Sequence, residues 1–221
     1  MIIYLDIETI PAQDPAVRDE LRAAVTPPAS YKKAESIAEW LAENREKEAE
    51  AAWLRTSFDG GFGHICCIGW AVDDGEPASI FGTHEDEAGM LSDFFGVLKR
   101  AYSGTSGMKP VIVGHNVVSF DLPFIWKRAI VHGIKPPFWL PRDPKPWGDT
   151  AADTMTMWSG AKDRISLDKL CRVLGLPGKG DGPTGADVWP MVQEGRIKEV
   201  AAYCREDVQR TRAIYKRLTF A

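Results

Sequence analysis

The chain has 221 residues, of which 44% are hydrophobic, and its 31 acidic residues outnumber 27 basic ones to give a formal net charge of −4. This length and apolar fraction suit a single domain over residues 1–221 with a substantial core. The acidic balance excludes a surface that attracts nucleic acid as a whole, so a polyanion has to be held by a local basic patch or by bound metal. No run of about 18 apolar residues occurs, and the N-terminus lacks a signal-peptide pattern, so no membrane association is expected.

The four cysteines do not have the spacing of a metal site. Cys66 and Cys67 are adjacent within an apolar run, whereas Cys171 and Cys204 stand alone. Zinc sites in sequences show pairs of ligands at short, fixed spacings. We therefore expect buried, reduced thiols, and with them a cytoplasmic protein of a bacterial or phage-infected cell.

The first predicted strand carries two acids. Residues 2–9 read IIYLDIET, and the apolar residues on both sides of the pleat are typical of a central strand of an α/β sheet. Asp6 and Glu8 point to the same face, roughly 6–7 Å apart along the strand. Two carboxylates at the end of a buried strand repel each other unless a cation, a proton or solvent relieves them. Two interpretations stay open: a strand end that turns polar in water, and half of a metal site.

Residues 12–62 are interpreted as an insertion between the first strand and the next, because adjacent strands normally have much shorter connections. Their composition predicts a loop rich in Pro and Ala, followed by a helix from Ala34 to about Arg55. The apolar residues of that helix lie at its two ends, so we expect it to be solvated in the middle. The insertion is either a decoration or a wall over a site, with Lys32 and Lys33 as positive groups.

The remaining chain alternates strand and helix patterns. Strands are predicted at residues 65–72, 79–81 and 111–114, with a short strand or turn in 150–158. Helices are predicted at residues 85–102, 122–132, 166–174 and 196–218, with a short helix after Asp187. This order of elements is that of an α/β protein.

Further acids occur at helix positions. Asp121 follows the fourth strand and begins a helix, so it is either an N-cap or a site residue at the end of a parallel strand. Tyr203 and Asp207 lie four residues apart at the edge of the buried stripe of the last helix, and so share one face. Together with Asp6 and Glu8, these acids offer hard oxygen ligands, which select Mg²⁺ or Mn²⁺ over zinc. Two such ions about 3.5–4 Å apart can promote phosphodiester cleavage, with the phenol of Tyr203 orienting the attacking water.

Three segments resemble the motifs of the DnaQ-like, or DEDD, 3′–5′ exonucleases. Residues 6–9 (DIET) resemble the first motif, and residues 116–121 (NVVSFD) resemble the second, Asn-x3-Phe/Tyr-Asp. Residues 203–207 (YCRED) resemble the third motif in its tyrosine form; the histidine form is excluded because residue 202 is Ala. Residues 149–207 are similar to stand-alone proteins related to the exonuclease domain of family B DNA polymerases.

The resemblance implies an RNase H-like fold, with a five-stranded mixed β-sheet flanked by α-helices. It also implies two divalent cations, Mg²⁺ or Mn²⁺. Asp6 would bridge both ions, Glu8 and Asp207 would hold the ion that activates water, and Asp121 would hold the second ion. With Tyr203, these four acids form the expected catalytic set.

The implied substrate is single-stranded nucleic acid with a free 3′ end, with DNA expected ahead of RNA and 5′-mononucleotides as products. Asn116 and Phe120 would contact the substrate strand, and Ile7 and Thr9 the terminal nucleotide. Two alternatives stay open: an exoribonuclease of the same fold, and a non-catalytic nucleic-acid-binding module. No partner protein is inferable.

Other side chains are expected to help bind the strand. Among the tryptophans, Trp139, Trp147 and Trp158 are candidates for stacking on bases because they lie near a Pro-rich loop. The basic residues expected to bind phosphates are Lys32, Lys33, Lys127, Arg128, Lys179 and Arg205. Asp153 is interpreted as a helix cap in preference to a group that supports the metal ligands.

Overall fold

The computed structural model describes residues 1–104, 107–145, 149–160 and 162–221. Within them one sheet is built from β1 (Ile2–Ile10), β2 (His64–Val72), β3 (Ala78–Phe81), β4 (Val111–Gly114) and β5 (Ala151–Asp153). The strand order is β3-β2-β1-β4-β5, with β1 in the centre. β1 is antiparallel to β2 and parallel to β4, which confirms the predicted five-stranded mixed sheet.

Helices cover the sheet on both sides. In chain order the helices are α1 (Pro15–Ala24), α2 (Ala34–Arg55), α3 (Glu87–Ser103), α4 (Asp121–Val131), α5 (Thr154–Ser159), α6 (Leu167–Val173), α7 (Val188–Gln193) and α8 (Ile197–Thr219). Of these, α1 and α2 belong to the insertion and pack against each other. The strands and helices predicted after the insertion are confirmed with ends shifted by one or two residues, except at residues 150–158, where the strand ends at Asp153 and the helix α5 follows it. In the part of the chain that is described, no helix has the length and apolar character needed to cross a bilayer.

The alternation of side chains along β1 divides the core. The odd-numbered side chains of residues 3–7 belong to a large buried cluster formed with α3 and α4. Tyr4 and Ile10 point to the other face, where they pack in clusters that include α8. Asp6 and Glu8 lie between these two apolar residues on the α8 face. The acids therefore interrupt a packed face of the sheet.

A glycine allows α8 to approach that face closely. Gly69 on β2 is the cross-strand neighbour of Asp6, and a Cβ atom at this residue would lie 2.7 Å from the Sγ of Cys204 on α8. Such a contact is far shorter than packed atoms allow, so any larger residue would push α8 outward. Gly69 thus sets the distance between the acids of β1 and the side chains of α8.

The first half of the insertion differs from the prediction. A loop was expected, but residues 15–24 form α1. The Asp14 side chain caps this helix by accepting a hydrogen bond from the Ala16 N–H, and Pro15 occupies a first-turn position for which its fixed φ is suited. The Asp-Pro signal in the sequence was therefore a helix start.

The middle of α2 lies beside α1 but stays solvated, as expected, since residues 43–48 are exposed or half-buried and none of them is buried. Arg22 of α1 pairs with Glu46 at 2.6 Å, and Arg18 pairs with Glu50. These surface ion pairs are worth little individually. They nevertheless show that α1 and α2 lie side by side, and the predicted helix Ala34–Arg55 is confirmed.

Hydrogen bonds tie the two ends of the insertion to each other. The Trp53 indole N–H donates to the Ala12 carbonyl at 2.8 Å, and the Ala12 N–H donates to Thr56 Oγ1 at 2.8 Å. The Thr9 hydroxyl of β1 donates to the Ser57 carbonyl at 2.7 Å. The returning end of the insertion is therefore fixed beside β1.

A buried ion pair connects α3, α4 and β2. Glu87 accepts hydrogen bonds from Arg128 Nη2 at 2.7 Å and from the Ile65 N–H at 2.8 Å, and it also contacts His64 and His132. Burial alone would raise the pKa of Glu87, but the hydrogen bonds from His64 and Arg128 outweigh burial and lower the pKa to about 2. The pair fixes α4, whose first residue is an acid of the second motif. Arg128 was expected to bind phosphates, and that expectation is wrong because its side chain is buried on Glu87.

We predict that Arg128→Met lowers the free energy of unfolding by about 3–5 kcal/mol, because it leaves the Glu87 carboxylate buried without its charged partner. Urea denaturation followed by circular dichroism measures the loss. The double variant Arg128→Met/Glu87→Gln is the control, because it removes the uncompensated charge as well and should recover much of the stability. An equal loss in the single and double variants would contradict this explanation.

Candidate functional site

The candidate site begins where β1 and β4 separate. Their parallel pairing extends only from Ile2 to Tyr4 on β1. Beyond this point the Ile7 N–H, on the edge of β1 that faced β4, donates to Asp121 Oδ1 at 3.0 Å. The Asp121 carboxylate therefore accepts a hydrogen bond that a carbonyl of a neighbouring strand would accept in a continuous sheet. This bond attaches Asp121 directly to the strand that carries Asp6.

Asp6 and Glu8 lie inside β1, not at its end as the sequence suggested. The strand continues to Ile10 because β2 pairs with it over that whole length. The register shifts between Glu8 and Thr9, where Cys66 is the extra residue on β2. A bulge of this kind increases the local twist and redirects side chains.

The two acids of β1 are close together under α8. One ligand atom each of Asp6, Glu8 and Cys204 lies within 4.8 Å of the other two. The Cys204 thiol donates to Asp6 Oδ2 at 3.4 Å, and burial raises the pKa of this thiol. Cys204 therefore contributes a neutral thiol, and the negative charge of the cluster belongs to the two carboxylates.

The electrostatic environment disfavours ionisation of these carboxylates. Burial raises the pKa of Asp6 well above its usual range, and the charges of Asp121 and Asp207 raise it further. Burial likewise raises the pKa of Glu8, with added repulsion from Asp6 and Asp207. Lys179 lowers both values but does not compensate fully. Four acids on three elements thus share one electrostatic site.

Asp121 shares this behaviour. Burial raises its pKa to about 7, even though the hydrogen bond from the Ile7 N–H favours the charged form. Asp121 is 3% exposed, and the first turn of α4 contains no basic side chain that would stabilise the charged form of its carboxylate. A group with a pKa near neutrality changes its charge within the ordinary pH range.

Asp207 differs from the other acids because its two oxygens carry basic partners. Lys179 Nζ donates to Asp207 Oδ2 at 2.8 Å, and Arg210 Nη1 donates to Asp207 Oδ1 at 2.7 Å. Lys179 also donates to the Tyr203 hydroxyl and lies 4.2 Å from the centre of its ring. Burial raises the pKa of the Tyr203 phenol, and repulsion from Glu8 adds to the effect. Tyr203 is therefore a neutral phenol that can donate a hydrogen bond.

Lys179 is the site residue whose role the sequence did not reveal. It was expected only as one of several positive groups that bind phosphates. In the structure its ammonium is largely buried between Tyr203 and Asp207. The spacing within α8 predicts that Tyr203 and Asp207 share a face, but no periodicity links a loop residue to that face.

Asp153 is a helix cap, as predicted, and it also holds the turn of the second motif. It caps α5 by accepting hydrogen bonds from Met155 and Thr156. It also accepts the backbone N–H of Asn116 at 2.9 Å and of Val118 at 3.1 Å. Asp153 therefore fixes the turn between β4 and α4 that leads to Asp121.

The residues expected to contact substrate differ in how far they are buried and in which of their polar groups are free. Asn116 adopts a left-handed backbone with φ of 65°, and its Oδ1 is buried without a hydrogen-bond partner among the described residues. Phe120 is half-buried beside α4. Thr9 is half-buried and uses its hydroxyl proton on Ser57. The Ile7 side chain is buried in the core, so a contact from this residue would fall to its backbone.

The stacking candidates near the Pro-rich loop are only partly available. Trp139 is 4% exposed within the core, so the expectation that it stacks on bases is wrong. Trp158 is exposed on α5. Trp147 lies outside the described residues.

The donor set fits a hard divalent cation. Asp6 and Glu8 offer carboxylate oxygens close together, and a bound cation would offset the burial and the repulsion from neighbouring acids that raise their pKa values. Asp121 adjoins the same strand. Asp207 can join the set if Lys179 withdraws, since that ammonium and a metal ion compete for one carboxylate.

Comparisons with known proteins identify a family for most of the chain. Residues 65–221 match a family model described as a predicted 3′–5′ exonuclease related to the exonuclease domain of PolB. No curated protein matches the sequence.

Among solved structures, the family B DNA polymerase from the hyperthermophilic archaeon Pyrobaculum calidifontis is similar, with a TM-score of 0.61 and 16% sequence identity. The match covers 99% of this chain but only 24% of the polymerase chain. This similarity shows the fold, which is RNase H-like. Because the family model spans well over half of the sequence, the chain belongs to the family of predicted 3′–5′ exonucleases related to the exonuclease domain of PolB.

Proposed function

We propose that the protein is a metal-dependent exonuclease that hydrolyses phosphodiester bonds from the 3′ end of single-stranded DNA and releases 5′-mononucleotides. The observation that carries this proposal is the convergence of Asp6, Glu8, Asp121 and Asp207 under α8, where three of the four have raised pKa values. We propose residues 1–221 as one such exonuclease domain.

Two divalent ions, Mg²⁺ or Mn²⁺, when bound, would supply an activated water and stabilise the leaving oxygen. Asp6 would bridge both ions, Glu8 and Asp207 would hold the ion on the water side, and Asp121 would hold the other. In this arrangement Asp207 would hold metal in place of its hydrogen bond from Lys179. The neutral phenol of Tyr203 would donate a hydrogen bond that orients the attacking water.

The choice of single-stranded DNA is supported by the similar fold in a DNA polymerase. Phe120 and the unpartnered carboxamide oxygen of Asn116 would contact the strand. Thr9 would lie beside the terminal nucleotide, and Ile7 would contribute backbone only. An exoribonuclease would use the same acids, because cleavage chemistry does not depend on the 2′-hydroxyl.

We place the protein in the cytoplasm on the strength of its four buried, free thiols.

Asp6→Asn should reduce hydrolysis by at least about 1,000-fold, because several kcal/mol of charge stabilisation depend on the ions that Asp6 would hold. The assay uses end-labelled single- and double-stranded DNA, and RNA of the same sequence, with Mg²⁺ or Mn²⁺. Wild type is expected to shorten single-stranded DNA from its 3′ end and to act more slowly on RNA.

The matched control for this assay is Asp93→Asn, which removes an exposed acid on α3, on the other side of the sheet. It should leave the rate unchanged. Undiminished hydrolysis by pure Asp6→Asn protein would contradict the proposed site. Faster cleavage of RNA would assign the protein to the exoribonucleases, and metal-dependent binding without cleavage would make it a binding module.

Lys179→Met should lower the Mn²⁺ concentration needed for half-maximal activity, on the order of tenfold, because the ammonium no longer competes for Asp207 and the local potential becomes more negative. Activity titrations with Mn²⁺ measure this concentration. Lys99→Met, an exposed change on α3, is the control. A higher half-maximal concentration in Lys179→Met would mean that Lys179 assists metal binding instead of opposing it.

The raised pKa values also predict how pH affects stability. Asp6, Glu8 and Asp121 bind protons more tightly in the folded than in the unfolded state, so without metal their contribution to stability falls as pH rises through the raised pKa values. Bound metal would offset this loss of stability, because its positive charge stabilises the deprotonated carboxylates. Because the ligands must be deprotonated, metal binding also strengthens as pH rises. We therefore expect Mn²⁺ to raise Tm more at about pH 8 than at about pH 6. Thermal melts with Mn²⁺ and with EDTA test this, and an equal shift at both pH values would contradict it.

A further inference from the structure

One large aromatic side chain beside the site has no role in the core. Phe58 ends the 3₁₀ turn Thr56–Phe58, at the returning end of the insertion, and is 72% exposed. Its ring centroid lies 6.3 Å from that of Phe120, with the planes inclined at 57°. A phenylalanine side chain that is exposed to this extent adds little to the stability of the fold, because most of its apolar surface stays in water.

The backbone that carries Phe58 is held firmly although the ring is exposed. The Ser57 carbonyl accepts the Thr9 hydroxyl at 2.7 Å, which joins the turn to β1 just after Glu8. On the other side, Asp59 accepts the Gly61 N–H at 2.9 Å and pairs with Lys127 of α4. The ring is therefore presented from two anchors, one on the strand of the acids and one on the helix of Asp121.

The neighbouring ring lies within the second motif. Phe120 directly precedes Asp121 and packs on Phe124 with centroids 5.6 Å apart. The two rings of Phe58 and Phe120 thus form an apolar surface that is continuous with the turn leading to the acids. Phe62, half exposed, belongs to the same end of the insertion.

We propose that Phe58 is a stacking platform for a base of the single-stranded substrate and that it extends the contact surface of Phe120 beyond the motif. This inference rests on the proposed function. Bases of unpaired strands present apolar faces that stack on aromatic side chains regardless of sequence. An acidic protein that cannot attract nucleic acid by its overall charge depends more on such contacts. The insertion then acts as one wall of the substrate path.

Phe58→Ala should raise KM for single-stranded DNA roughly tenfold while changing kcat little, since one stacked base contributes binding on this scale and the acids are untouched. Phe58→Tyr should behave as wild type, whereas Phe58→Leu, which keeps apolar bulk without an aromatic face, should resemble Phe58→Ala. Phe138→Ala is the matched control, because Phe138 is 74% exposed and makes its ring contact with Tyr102 of α3.

A scan with abasic nucleotides separates stacking from other effects. Each nucleotide near the 3′ end is replaced in turn by an abasic one, and kcat/KM is measured for release of the first nucleotide. At one position, removal of the base should weaken wild type but have no effect on Phe58→Ala. Equal penalties in both proteins at every position would overturn the inference, while cleavage by wild type would leave the proposed function standing.

Two further outcomes of these assays would overturn the stacking role of Phe58 for different reasons. If wild type cleaves none of the oligonucleotides under conditions in which it binds metal, the proposed function and this inference both fail. If Phe58→Ala cleaves as wild type does but changes the oligomeric state in size-exclusion chromatography, the exposed ring is a contact between copies of the chain, and the stacking role is overturned.

Discussion

Negative charge held beneath α8 is the constraint on which the rest of the structure depends. Asp6 and Glu8 replace apolar residues on a packed face of β1, and Gly69 lets α8 close over them. The helix brings one more acid, Asp207, with Tyr203 beside it. Burial of like charges is unfavourable unless counterions are present. Lys179 offsets part of this cost by pairing with Asp207.

The second constraint is the position of α4. Asp121 reaches β1 only because β4 stops pairing after Tyr4, which leaves the Ile7 N–H free to donate. Asp153 shapes the preceding turn, and the buried pair of Arg128 and Glu87 fixes the helix from behind. A chain of ordinary hydrogen bonds and one ion pair therefore determines where the fourth acid stands relative to the other three.

Much of this arrangement could be predicted from the sequence, and the remainder could not for identifiable reasons. The alternation in β1 places Asp6 and Glu8 on one face, and the 3.6-residue period of α8 pairs Tyr203 with Asp207, since both are local properties. The burial of Trp139 and the contact of Lys179 with α8 depend on packing between distant segments, which no local pattern encodes. The start of α1 is different, because the Asp-Pro cap was present in the sequence but was outweighed by the Pro- and Ala-rich composition around it.

The register of β1 and β2 has a consequence for the insertion. Ile10 and His64 are direct cross-strand partners, although more than fifty residues separate them along the chain. A two-residue turn would close such a pair into an ordinary β-hairpin. The central sheet and the spacing of the acids therefore do not require the two insertion helices. The insertion is therefore modular in this chain, because the pairing of β1 with β2 is complete at the point where the insertion leaves the sheet.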